Sequence, residues 1–215
     1  MLPRHCLMCQ MNFYGPSPLC RLCIHRLIPL QEACITCGEW TRFNSCEACT
    51  INGTDIHRLY VPWTYSEPLK TLIGHYKFKD HFYLSDYFAD LILAHLPSEA
   101  LKTECLIPVP LHPKKLKKRG FHQTLLLAKA LSKRLKIPVS TTYCQKIRDT
   151  PAQMALNRDE RLFNLQDAFE CSPFPYQHMT LIDDITTTGS TLKSIARLFQ
   201  QQGVTTIDAW AIAKA

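Results

Sequence analysis

Two adjacent carboxylates, Asp183 and Asp184, follow the apolar pair Leu181 and Ile182, and after them come Ile185, Thr186, Thr187, Thr188, Gly189, Ser190 and Thr191. An apolar run that ends on acids predicts a buried strand with its carboxylates at the carboxyl edge of a sheet. The small hydroxyl-bearing residues predict a loop into a helix that starts near Ser190. Backbone N–H groups at a helix start attract anions, the hydroxyls add donors, and Gly189 permits a left-handed turn. That half of the run suits a phosphate. The acids would repel one; they suit a pair of neighbouring hydroxyls, or a Mg²⁺ held beside them. A ribose with a 5′-phosphate presents both chemistries. A bare Asp-Asp would more simply be two solvated acids on a capped turn, and the length of the run is what argues for a ligand.

A second constellation lies at the N-terminus. Eight of the eleven cysteines form four C-x-x-C pairs, Cys6/Cys9, Cys20/Cys23, Cys34/Cys37 and Cys46/Cys49. Two thiolates at that spacing suit one tetrahedral metal, and four pairs make two four-cysteine sites. Zinc is the expected ion, in a structural role, because so small a module buries too little to fold without it. An iron–sulfur centre is the rival on ligand type. Sequential pairing closes shorter loops than interleaved pairing and is preferred, with both open at this stage. Gly38 supplies the tight turn of a zinc knuckle. Cys105, Cys144 and Cys171 have no such spacing and are expected to be ordinary buried residues.

The elements that must position these groups follow from periodicity. A hinge-like stretch, residues 51–68, separates the cysteine module from the rest. Leu69, Leu72, Ile73 and Tyr76, then Leu84, Tyr87, Phe88, Leu91 and Ile92, have helical spacing. Residues 105–111 predict a buried strand, 112–123 a loop, 124–135 a helix, 137–148 a second strand and 178–184 a third. A helix from Ser190 stops near Gly203, and 204–213 predict a last strand. Strands alternating with helices give an α/β fold with a mostly parallel sheet.

Charge narrows the partners. The net charge is +7, yet Lys102 to Arg161 carry 14 Lys/Arg against 4 Asp/Glu. A local excess of that size favours a polyanion over a merely solvated basic face only if something else points the same way. The start of the chain has no apolar leader, and no run approaches the ~20 apolar residues of a membrane span. The expectation is a cytoplasmic protein without a transmembrane segment.

The run Ile182–Thr191 resembles the 5-phosphoribosyl-1-diphosphate (PRPP) loop of type I phosphoribosyltransferases. The four cysteine pairs, Tyr76-Lys77-Phe78-Lys79, the stretch Ile107–Gln123, the stretch Thr150–Phe169 and this loop, in that order, make nearly the whole chain similar to the ComF family, also known as GntX-like proteins. The resemblance implies a double zinc-ribbon module over residues 1–55. Over residues 56–215 it implies a type I phosphoribosyltransferase-like domain, a mostly parallel sheet flanked by helices. It implies that Asp183 and Asp184 bind the ribose hydroxyls and that Thr186, Thr187, Thr188, Gly189, Ser190 and Thr191 bind the 5′-phosphate. Pro110–Gln123, with Arg119 and Gly120, would approach the diphosphate. Thr150–Asn164 would close over the site and contribute Gln153, Arg158 or Arg161. Asp183, Asp184 and Arg119 are the expected catalytic groups. Lys77 matches a family lysine without an assigned role. His122 stands where the family usually has Asn, and an imidazole there would bring pH dependence near neutrality.

Elementary chemistry agrees with those roles. Diphosphate departure leaves an oxocarbenium-like sugar and a growing negative charge. Mg²⁺ and cations stabilise the leaving group, and a carboxylate near the ribose stabilises the cation. Lys114, Lys115, Lys117, Lys118 and Arg119 could serve the diphosphate, or a DNA backbone, since they exceed what one diphosphate needs. Phe121 and Tyr143 are available for base stacking. By resemblance the role is in natural competence, the uptake of DNA for transformation. PRPP, single-stranded DNA and competence and recombination proteins would be the partners, and the location cytoplasmic or peripheral at the inner membrane. Two alternatives stand beside it: an active Mg²⁺-dependent phosphoribosyltransferase with an unidentified acceptor, and a PRPP-sensing regulator without catalysis.

Overall fold

Four all-parallel strands form the centre, in the order β3 (Arg58–Tyr60), β10 (Thr206–Trp210), β8 (His178–Ile182), β5 (Cys105–Pro108). The computed structural model describes residues 3–79, 81–149 and 168–215. Buried on both faces, β8 and β10 explain the near-continuous apolar runs in the sequence. Three of the four strands run on after a two-residue break. β4 (Trp63–Thr64), β9 (Ile185–Thr186) and β11 (Ala213–Lys214) form a second parallel tier in the order β4-β11-β9. Hydrogen bonds cross the break. Asp183 N–H donates to Trp210 O at 2.9 Å, and Ile212 N–H donates to Asp184 O at 3.1 Å. The two acids therefore lie at a seam between tiers, inside the sheet, with pairing continuing beyond them.

Alternation of side chains divides the core in two. Leu106, Ile182, Trp210 and Ile212 face α3 (Leu69–Phe78), α4 (Leu84–Leu93) and α6 (Gln123–Leu135). Ile107, Leu181, Ile207 and Ala209 face α7 (Ser190–Gln200) and the hairpin described below. Helices thus cover both faces of a parallel sheet, as the α/β pattern predicts. The apolar stripe expected on α3 is fully buried, and on α4 Leu84, Phe88 and Ile92 are buried with Tyr87 and Leu91 half-buried.

Three expectations change. The hinge-like stretch supplies the edge strand β3 and its continuation β4, because its alternating residues pair with β10 and β11. The basic loop contains a helix, α5 (Pro113–Arg119), started by Pro113 at its first turn and ended by left-handed Gly120. The second strand does not join the sheet as a unit. Val139 makes a single parallel bridge to Leu106, and β6 (Cys144–Lys146) instead pairs antiparallel with β7 (Phe169–Cys171). Of Cys144 and Cys171, both expected to be ordinary buried residues, Cys144 is buried and Cys171 half-buried, and the two are register partners. Thr150–Asn164, with Gln153, Arg158 and Arg161, lies outside the described residues.

The cysteine module is built twice. In the first half β1 (Arg4–His5) and β2 (Asn12–Phe13) pair antiparallel, and α1 (Arg21–Ile24) follows. The second half ends in α2 (Glu47–Asn52). Cys20 and Cys46 are the N-caps of these short helices, and a left-handed residue follows each leading knuckle, Gln10 and Gly38. Cys6, Leu19, Cys20, Cys23 and Leu27 share one core cluster with α3 and α4.

Candidate functional site

Asp184 is 5 % exposed and makes the centre of the site. Its Oδ1 accepts the Ile185 N–H at 2.7 Å and lies 3.0 Å from Lys77 Nζ, which reaches it from the last turn of α3. Its Oδ2 is buried without a partner. Asp183 is half-buried, and its Oδ1 accepts the Asp184 N–H at 2.8 Å. Burial and the neighbouring Asp184 carboxylate push Asp183 up to about 7, against the pull of that N–H, Lys77 and Lys146. Lys77 thus has a place: it neutralises the acid that can least be solvated. Its spacing from Asp184 in the chain gave no signal of this. It emerges because Tyr76, beside it, is locked into the core with its hydroxyl donating to Gln123 O at 2.6 Å.

The hydroxyl-rich run forms a small cradle. Gly189 adopts φ +70, and a Cβ there would lie 3.8 Å from Thr186 Oγ1. That hydroxyl is buried without a hydrogen-bond partner, a costly condition that a ligand oxygen would relieve. Thr188 Oγ1 donates to Ser190 Oγ at 3.0 Å, and Ser190 opens α7. Asp183, Thr186, Thr187, Gly189, Ser190 and Thr191 line one concavity. The same concavity holds the start of α7, whose first N–H, at Ser190, donates to Thr188 Oγ1 at 3.4 Å.

Helical periodicity splits the cations of α5. Lys115, Lys118 and Arg119 lie three and four residues apart and share a face. With Lys77, Phe78 and Phe121 they line a cleft of about 290 Å³. Lys114 and Lys117 are exposed and outside that lining. Arg119 packs its guanidinium over the Phe78 ring at 5.5 Å and holds a buried, unpartnered Nη1. Gly120 ends the helix and lines no part of this cleft. Of the two rings proposed for stacking, Phe121 lines the cleft, while Tyr143 packs on Phe174 away from it.

Two more residues bear on the site. Lys146, on β6, is held down to about 8 by burial and by Lys115, while Asp149 and Asp183 oppose the shift. Nothing in the sequence singled it out, because its neighbourhood depends on the hairpin. His122 is the N-cap of α6. Its Nδ1 accepts the Leu125 N–H at 3.0 Å, and its Nε2 faces the Leu111 N–H at 3.2 Å. A neutral ring accepts through one of these nitrogens, and a protonated ring through neither. Burial, then Arg119, lower its pKa below the ordinary 6.5. The expected titration near neutrality is therefore displaced to lower pH, and the ring performs the capping role that Asn also fills well.

The eight cysteines form two groups, Cys6/Cys9/Cys20/Cys23 and Cys34/Cys37/Cys46/Cys49, so the pairing is sequential. Cys9 and Cys20 sulfurs lie 3.7 Å apart, and Cys37 and Cys46 sulfurs 3.6 Å apart. A tetrahedral zinc with four thiolates has sulfur–sulfur edges of about 3.8 Å, so the residues fit the ion. The chemistry of the thiols points the same way. Burial opposes ionisation of Cys6, but N–H groups of Cys9, Cys20 and Met8 outweigh it and hold the thiol at about 6. In the second group burial is outweighed at Cys34 by the Thr36 hydroxyl and backbone N–H groups, which hold it at about 5. Cys23 is pushed up to about 12 by burial and its neighbouring thiols. Four sulfurs at these separations suit a divalent cation between them.

Among the described residues no helix is long and apolar enough to cross a membrane. No protein-family model matches the chain. Individual proteins do. It is 31% identical over 223 residues to Competence protein F of Haemophilus influenzae, spanning 98% of this chain and 96% of that one. It is 28% identical over 222 residues to DNA utilization protein YhgH of Escherichia coli K12, across 99% of this chain and 98% of that protein. Competence protein ComFC of Streptococcus pneumoniae is 25% identical over 190 residues, 86% of this chain and 81% of its own.

Proposed function

The chain belongs to the competence protein F (ComF) family, and on that premise we propose that it serves DNA uptake by holding PRPP on a phosphoribosyltransferase-like domain beside a cleft for single-stranded DNA. The observation that carries the PRPP reading is the pair of buried, unpartnered oxygens, Asp184 Oδ2 and Thr186 Oγ1, two residues apart in the same run. An acceptor next to a run of hydroxyl donors matches a sugar hydroxyl on one side and a phosphate on the other. Asp183 and Asp184 take the ribose hydroxyls. Thr186, Thr187, Thr188, Gly189, Ser190 and Thr191 take the 5′-phosphate. Arg119, with its orphan Nη1, and Lys115 and Lys118 take the diphosphate. The hard oxygen donors of Asp183 and Asp184 also suit Mg²⁺, which would share the diphosphate charge. The zinc ions are structural.

The DNA reading rests on the relatives named for competence and DNA utilization and on the cleft's composition. Its lining has four cations, two aromatic rings and no acid. A larger cavity of about 660 Å³ beside the second cysteine group, lined by Trp40, Phe43 and Arg42 among others, sets Glu39, Glu47 and Asp55 against Arg42, Lys193 and Arg197. That balance does not draw a polyanion, so the α5 cleft is the better DNA surface. The protein acts in the cytoplasm with competence and recombination proteins.

The deciding experiment is a calorimetric titration of the zinc-loaded chain with PRPP, with and without Mg²⁺, while diphosphate release is followed across a panel of bases and single-stranded DNA. Mg²⁺-dependent binding that Asp183→Asn/Asp184→Asn abolishes is the expected result. Binding without release under any acceptor marks a sensor, and release with one acceptor marks an enzyme. No binding by the native chain would overturn the reading.

A further inference from the structure

Cys144 and Cys171 face each other across β6 and β7, and the bonds on either side fix what kind of pair they are. Ser172 N–H donates to Tyr143 O at 3.1 Å, and Ile147 N–H donates to Ala168 O at 2.9 Å. Tyr143/Ser172 and Ile147/Ala168 are therefore hydrogen-bonded pairs. Such pairs alternate along an antiparallel ladder, so Gln145/Glu170 is of the same kind and Cys144/Cys171 is not. Opposite residues of a non-hydrogen-bonded pair stand about 4.5 Å apart at Cα, with their side chains closest. A disulfide accepts Cα separations of about 4.4–6.8 Å. The ladder thus holds these two sulfurs where a bond can form without moving the backbone.

Both thiols are free, and both lie outside the two metal-binding groups. Cys144 is 3 % exposed and Cys171 half-buried. The Cys171 sulfur, and then burial, push the Cys144 thiol far above the ordinary thiol range. Cys171 is thus the sulfur that solvent reaches. Cys105, by contrast, is sealed in β5 without a cysteine partner, and burial raises it to about 11.

We infer that Cys144 and Cys171 are a reversible oxidation site that a peroxide converts to a disulfide. The Cys171 thiolate attacks a peroxide oxygen; the O–O bond breaks, and the leaving oxyanion takes up a proton. Cys171 becomes a sulfenic acid, oxidised by two electrons as the peroxide is reduced by two. The Cys144 sulfur then attacks the Cys171 sulfur. The S–S bond forms, the S–O bond breaks, and hydroxide leaves with the Cys144 proton as water. A dithiol reverses the product by exchange. The bond ties together the two ends of the connection from residue 145 to residue 170. It also clamps the hairpin that carries Lys146, whose Nζ sits 5.2 Å from the Phe169 ring. Oxidation therefore acts on the hairpin that brings Lys146 into the field of Asp183.

Peptide mapping tests this on the zinc-loaded full chain. The chain is treated with limiting hydrogen peroxide, its remaining thiols are blocked under denaturing conditions, and the digest is weighed. The expected product is a Cys144–Cys171 cross-linked peptide lighter by two hydrogen atoms, lost on treatment with dithiothreitol, with zinc content unchanged. A Cys144→Ser chain should instead hold a dimedone-reactive sulfenic acid at Cys171. The inference fails if both thiols are recovered fully blocked while the metal-binding cysteines are consumed. It fails equally if either sulfur is joined to another cysteine. Because the mapping uses the native chain, a variant that misfolds does not decide the matter.

Discussion

Asp184 has Lys77 as its counter-charge, and this dependence can be measured. Removing the ammonium leaves a carboxylate that is 5 % exposed without its counter-charge. Breaking one side of a buried ion pair typically costs about 3 kcal/mol. Lys77→Met should lower stability by about that amount in urea unfolding, and adding Asp184→Asn should restore most of it. An unchanged midpoint in Lys77→Met would show that the pair is not coupled. Asp183 makes the second residue-scale prediction. Its folded pKa of about 7 exceeds the ordinary 3.8, so its contribution to stability is fully present below pH 3.8 and is lost as the pH rises through 7. A ligand that needs the carboxylate gains in the opposite direction. PRPP affinity in Mg²⁺ should rise between pH 6 and pH 8, and Asp183→Asn should flatten the part of that profile not due to the ligand's own phosphates. His122 predicts little of this. Its ring caps α6 while neutral, so His122→Asn should hold stability, whereas His122→Ala should cost about 1 kcal/mol.

At the scale of elements, α5 offers the sharpest test, because periodicity divides five cations between two faces. Charge reversal at Lys115, Lys118 and Arg119 should weaken single-stranded DNA binding and reduce its logarithmic salt slope by about 2. Reversal at Lys114 and Lys117 should leave the slope nearly unchanged. Equal effects from both sets would place the DNA elsewhere. The same helix shows where sequence reading stops. Pro113 and Gly120 are a helix start and stop, yet a run of lysines carries no apolar stripe, and none of its residues is buried. A seven-residue helix without a core face gives hydrophobic periodicity nothing to detect. The edge strands β3 and β4 were hidden for a related reason. They are two or three residues long and half-buried, so their identity comes from pairing with β10 and β11 rather than from their own pattern. The elements with long stripes or runs, α3, α4, α6, α7, β5, β8 and β10, were legible because burial on a fixed face dictates residue type at every turn. The acids and the cradle were legible too, as a dense run of special residues. Lys77 and Lys146 were not, since they meet the acids only after α3 and the hairpin are folded against the sheet.

The whole molecule sets the two cysteine groups on different footings. Cys6, Cys20 and Cys23 lie in the same cluster as Leu69, Leu72, Tyr76, Leu84 and Phe88, so the first four-cysteine group is part of the wall that positions α3 and hence Lys77. Cys34, Cys37 and Cys49 form a cluster of their own with Cys46. That second group is tied to the sheet through a few polar and backbone links. Leu59 N–H donates to Ile35 O at 2.7 Å, Lys214 Nζ lies 3.2 Å from Glu39, and Gly38 leaves room for the Lys214 side chain. Metal binding to such a module is itself folding free energy, so losing an ion unfolds whatever shares its core. Cys6→Ser should therefore lower the unfolding temperature of the sheet domain, followed by the fluorescence of buried Trp210, by on the order of 10 °C. Cys34→Ser should leave that transition within a few degrees, while Trp40, 67 % exposed on the second knuckle, changes its signal early. A native chain that carries two zinc ions, and variants that each retain one, would give the comparison its meaning. If both substitutions shifted the Trp210 transition equally, the second group would belong to the common core after all, and the link from the first zinc through α3 to Asp184 would lose its special standing.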